Sequence, residues 1–128
     1  MSTFQVTTQI AYLGQLLQKV KEYSGSLVQL IQDESVADSQ TDFEITVALD
    51  VSAVKCFALV SSETVTLETN DGTTPANTLS LVADKMYQWD TDAYDAFLLD
   101  TDVTSVFITN ASGAAALINM WALLDPSP

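Results

Sequence analysis

Between Thr41 and Asp50 the chain alternates. Phe43, Ile45, Val47 and Leu49 interleave with Asp42, Glu44, Thr46 and Ala48. A period of two belongs to a β-strand with one face buried, and no helix accommodates it. The segments that follow conform to the same architecture. Val54 to Val60 is apolar at nearly every position, as in a strand covered on both faces. Thr64 to Thr69 alternates again, with Val65 and Leu67 inward, and Asn70-Asp71-Gly72 then signals a turn, because Asn and Gly tolerate positive φ. A loop containing Pro75 leads to a strand over Thr78–Ala83 with Leu79 and Leu81 on one face, and Lys85–Trp89 either extends it or pairs beside it. Residues 90–102 read as an irregular acidic loop, with Tyr94, Phe97, Leu98 and Leu99 between its carboxylates, that packs a few apolar side chains and shows the carboxylates to water. Val103–Asn110 is a strand ended by Ala111-Ser112-Gly113. Ala114–Leu124 fits a last strand through the core, stopped by Asp125-Pro126-Ser127-Pro128.

The first 36 residues carry two patterns. Ile10, Leu13, Leu17 and Val20 fall at helical spacing, whereas Phe4, Val6, Ile10 and Tyr12 fall at strand spacing. The strand reading, with turns near Gly14 and Gly25, agrees with everything downstream. Short strands at such spacing predict a sandwich or a barrel. With no linker and no repeat, residues 1–128 read as one domain, and 1–14 as an arm or edge strand.

Charge narrows the function. The chain has 17 acidic residues against four Lys, no Arg and no His, for a net charge of −13. Four scattered Lys make no basic face, so neither nucleic acid nor an anionic membrane is an expected partner. Without His there is no Ser–His or Cys–His pair and no imidazole metal site, and without Arg no bidentate anion clamp. The single cysteine, Cys56, lies in an apolar stretch and reads as a buried free thiol. No apolar run approaches the length of a membrane span, and the N-terminus lacks the features of a signal peptide, so synthesis and retention in a cytoplasm are expected.

Candidate chemistry is sparse. A glycosidase-like carboxylate pair would arise by chance among so many Asp residues. Asp90-Thr-Asp92 and Asp100-Thr-Asp102 offer calcium-type oxygens but lack the Gly and distal Glu of the helix–loop–helix site. Asn110-Ala-Ser112 matches a glycosylation acceptor by coincidence. Tyr87, Trp89, Tyr94, Phe97 and Trp121 are the aromatics of a conceivable binding platform. Trp121 is expected in the core, and Trp89 and Tyr94 at the surface. No catalytic residue, cofactor or metal is expected.

Taken in order, the run Thr41–Lys55, the strand Val65–Asn70, Thr78-Leu-Ser-Leu81 with Tyr87-Gln-Trp89, and Asp102–Gly113 resemble the small jelly-roll decoration or cement proteins encoded among tailed-bacteriophage head genes. The resemblance covers about residues 36–124 and the N-terminal third loosely. It implies an all-β jelly-roll or Greek-key sandwich on the outer capsid surface of a virion, made in the bacterial host cytoplasm. It also implies a dimer or trimer bound to the phage major capsid protein, with no catalytic residues to carry over. Three regions are expected to make capsid or subunit contacts: the N-terminal segment (Phe4, Val6, Tyr12), the Asn70–Asn77 loop (Asn70, Asp71) and the Trp89–Phe97 loop (Trp89, Tyr94, Phe97). The competing readings are a carbohydrate- or calcium-binding sandwich module and a tail, neck or fibre component of the same virion.

Overall fold

A computed structural model describes residues 1–126. The chain runs β1 (Ser2–Tyr12), β2 (Gln15–Gly25), β3 (Leu27–Val36), β4 (Gln40–Leu49), a 3-10 turn (Val51–Ala53), β5 (Val54–Ser61), β6 (Val65–Thr69), β7 (Thr78–Leu81), β8 (Tyr87–Asp90), β9 (Val103–Asn110) and β10 (Ala116–Leu124). The helical alternative for the first residues is thereby rejected, and the turns fall where Gly14 and Gly25 placed them. The end of β10 at Leu124 agrees with the expected stop, of which Ser127 and Pro128 lie outside the described residues.

β3 to β10 form two antiparallel four-stranded sheets, ordered β3-β10-β5-β8 and β4-β9-β6-β7. This is the jelly-roll arrangement of an all-β sandwich. The alternating residues interdigitate between the sheets. Val47 and Leu49 from β4, Phe57 and Leu59 from β5, Ile108 from β9 and Ile118 from β10 are all buried in one cluster. Asn110 is the polar pin of that interior. It is fully buried, and its Nδ2 donates to the carbonyls of Val36 (3.0 Å) and Ala114 (2.8 Å). Its Oδ1 accepts from the Ser112 N–H at 3.1 Å. Asn110 therefore belongs to the interior and has a structural role.

Four expectations need correction. β8 neither extends β7 nor pairs with it, but joins the opposite sheet against β5, Phe57 facing Trp89. The chain changes sheets through Asp84, whose φ is +61°. Trp121 is not core. β10 presents it on the outer face of its sheet, about half exposed. Asp90 does not face water but is buried. Gly72 does not adopt positive φ, whereas Asn70 does, at +70°. A Cβ at Gly72 would lie 2.6 Å from the Asp42 carboxyl carbon, so a larger residue there would displace that exposed side chain.

Candidate functional site: a projecting hairpin

β1 and β2 stand apart from both sheets as a two-stranded hairpin. Their register is unbroken from Ser2↔Gly25 to Tyr12↔Gln15. Eleven residues of strand extend roughly 35 Å. An isolated hairpin is marginal in water, so what fixes this one matters.

Its base is fixed by packing. Phe4 and Tyr23 face each other across the hairpin, with Val6 next along the same face. Together they cover Cys56, Leu123 and Val28 on the outer face of the β3-β10-β5-β8 sheet. Phe4 also lies against Trp121, ring centroids 6.2 Å apart. Within the apolar run Val54–Val60 the arm thus covers Cys56 on the outer face, while Ala58 and Val60 beside it stay half-buried. Gly25, at the exit of β2, passes so close that a Cβ would sit 2.4 Å from the Leu124 carbonyl oxygen.

Polar contacts lock the same base to the acidic loop. The Tyr23 hydroxyl donates to Asp92 Oδ2 at 2.9 Å, and Lys21 Nζ lies 3.0 Å from that oxygen. Gln88 Nε2 and the Asp92 N–H donate to Asp90 at 3.0 and 2.9 Å. Burial pushes the Asp90 carboxyl up, but the donors from Gln88 and Asp92, with the Tyr23 hydroxyl close by, outweigh it and hold the group below the usual carboxylate range. Burial, reinforced by the facing Asp90 and Asp92, pushes the Tyr23 hydroxyl up. Burial likewise pushes the Cys56 thiol up to about 11, which leaves it an unreactive free thiol.

Beyond this base the hairpin has no cover. Ile10, Tyr12 and Leu17 occupy the face that carries Phe4 and Tyr23 lower down, while Leu16 and Val20 lie on the opposite face. All five are exposed, Tyr12 and Leu17 by about three quarters (74% and 75%). The connecting residues Leu13 and Gly14 both have positive φ, at +48° and +78°. A two-residue turn of this kind favours Asn-Gly. Here its first position holds a leucine that is 83% exposed.

The expected contact residues therefore separate. Phe4 and Val6 grip the chain's own sheet, and Tyr12 alone of that group is free. Asn70 is a structural pin, its Nδ2 donating to the Asp102 carbonyl (2.8 Å) and its Oδ1 accepting from the Thr104 N–H (2.8 Å). The Asp71 side chain accepts from the Thr73 N–H, closing the loop on itself. Trp89 stacks on Phe97 at 4.7 Å, its Nε1 donating to the Asp95 carbonyl. Phe97 in turn meets Phe57 edge-on at 5.1 Å. Tyr94 stands fully exposed. Leu13, Leu16, Leu17 and Val20 were not singled out as contacts, although the strand reading with a turn at Gly14 already places them at the far end of a hairpin.

Among the described residues no group of three or more acidic, Cys or His side chains is placed to hold a metal. Asp90 and Asp92 are engaged as above, Asp100 accepts from Asn77, and Asp102 accepts from the Val51 N–H. No described helix is long and apolar enough to cross a membrane. No family model, curated protein or solved structure matches this chain.

Proposed function

We propose that this chain is a non-enzymatic structural protein that attaches to the outside of a tailed-phage capsid and stabilises it, with the hairpin tip as a principal point of attachment. Leu13 carries the reading. Its left-handed backbone costs about 1–2 kcal/mol, and its side chain stands in water. Strain and exposure at one residue are explained when a second surface receives it. Leu16 and Val20 continue that apolar surface down one face of the arm.

The rest of the molecule suits the same role. An acidic exterior keeps a high-copy protein soluble and away from packaged DNA. It also favours docking on a basic or mixed capsid face. A protein that engages only the assembled shell stabilises it by about 2.7 kcal/mol per site at a hundredfold excess over Kd. Repeated over many sites, modest contacts suffice. The order of strand segments that resembles cement proteins supports the reading from a separate direction. The carbohydrate platform has less support, because Trp89 and Phe97 stack on each other and leave Tyr94 alone.

Binding of the purified protein to capsids that lack it tests the proposal. Leu16→Lys/Val20→Lys is expected to weaken binding at least tenfold while the sandwich stays folded. Undiminished binding by that variant would remove the tip from the interface.

A further inference from the structure

The sheet edges of this molecule are protected, with one exception. Edge strands recruit foreign strands unless they are short, bulged or charged. β7 and β8 are four residues each. β3 carries Asp33 and Glu34 and a bulge opposite Ile118/Met120, and β4 carries Asp42 and Glu44 with its own register shifts. β2 carries Lys19, Lys21 and Glu22. β1, by contrast, is eleven residues long, regular, free of proline and without a single charge (STFQVTTQIAY). Among the described residues it pairs with β2 alone, so its other edge is open.

That edge borders a groove of about 620 Å³. β1 forms one wall over Thr3–Thr7, and Ala58, Val60, Met86 and Trp121 line the sheet beside it. The lining of the groove is mostly apolar, with Gln88 and Asn119 among it. The sequence of β1 indicates which strand fits. Read antiparallel against itself about Thr7, it sets Phe4 opposite Ile10, Gln5 opposite Gln9 and Val6 opposite Thr8. Phe4 meets Ile10 and amide meets amide, Val6 faces a threonine, and the faces stay in phase. The arm also suits this acidic chain, since Lys19 and Lys21 outnumber Glu22 within it and the remaining acidic residues all lie outside it.

We propose that a second copy of this chain fills the groove, its β1 pairing antiparallel with the open edge of β1 about a twofold axis at Thr7. The two hairpins then form one four-stranded ribbon, ordered β2-β1-β1-β2. Ile10 and Tyr12 of each copy descend on the groove floor of the other, near Trp121 and Ala58. Each copy repeats against its partner the contact that Phe4 and Val6 already make within the chain. Leu16 and Val20 face away from this seam, so the pairing is independent of the shell-binding reading.

Sedimentation of the full chain at micromolar concentration tests the pairing. A mass of twice 13.8 kDa is expected. Ile10→Lys/Tyr12→Lys alters two side chains that are 65% and 74% exposed in one copy, and is expected to raise the dimer Kd at least tenfold with the far-UV spectrum still that of the folded sandwich. Oxidised Thr7→Cys is expected to form a covalent dimer across the twofold axis. Thr3→Cys, opposite Ala11, is expected to form none, and buried Cys56 takes no part. A wild-type monomer, a trimer, a dimer indifferent to the double lysine variant, or a dimer in which Thr7→Cys fails to crosslink would each overturn the proposal. Loss of capsid binding by Leu16→Lys/Val20→Lys with the dimer intact would bear on the shell contact alone.

Discussion

Leu13 shows how a single residue can separate folding from function. Asn tolerates the left-handed backbone that Leu resists. Leu13→Asn is therefore expected to leave the thermal midpoint unchanged or raised while weakening capsid binding; a fall in both would make Leu13 a folding residue. Asn110 is the opposite case. Asn110→Ala takes the amide donor from the buried Val36 carbonyl, and a loss of about 1–3 kcal/mol is expected in urea unfolding. Asp90 supplies the pH dependence. Its folded carboxyl is held below the usual carboxylate range, so the unfolded chain binds the proton more readily. The stability it contributes is complete above about pH 4 and is lost as pH falls through the folded value. Urea midpoints measured from about pH 5 downward are expected to fall less steeply in Asp90→Asn than in the wild type.

At the scale of the element, the hairpin is two parts on one register. Replacing residues 9–18 by Asn-Gly joins Thr8 to Lys19, which already face each other. Phe4, Val6 and Tyr23 then remain on Leu123 and Cys56, so the shortened protein is expected to unfold within a few degrees of the wild type. It is expected to lose both dimer and capsid binding, read by sedimentation. Removing residues 2–12 outright would instead uncover that cluster. The strands themselves were legible because burial of one face imposes a period of two, as in Phe43–Leu49. The hairpin was legible because Gly14 and Gly25 break both patterns where the chain must turn. The identity of the surface covering Val54–Val60 was not legible. An unbroken apolar run reports burial on both faces, never by what, so Phe4 and Val6 read as free contacts and Trp121 as core. The placement of β8 was hidden for a related reason: four residues carry too little periodicity to specify a sheet. Asp90 looked exposed because the arm residue that lies beside it, Tyr23, is distant in sequence.

The whole molecule divides its properties between its parts. The sandwich holds the core and nearly all the negative charge, and the arm holds a continuous set of exposed apolar side chains (Ile10, Tyr12, Leu13, Leu16, Leu17, Val20) and half of the lysines. Such a division favours a protein that stays dispersed until a matching surface appears. High salt screens the repulsion between acidic bodies over a Debye length of about 10 Å at 0.1 M. Self-association through the uncharged β1 is accordingly expected to strengthen with added salt, and sedimentation across a salt series checks this. If the chain covers a capsid as proposed, quantitative mass spectrometry of purified particles from its source counts it against the shell. Under that proposal, copies of this chain per major capsid protein near one, or a simple fraction such as one third, are expected. A ratio near one hundredth, as for a tail or neck part, or absence from the particles, would contradict it.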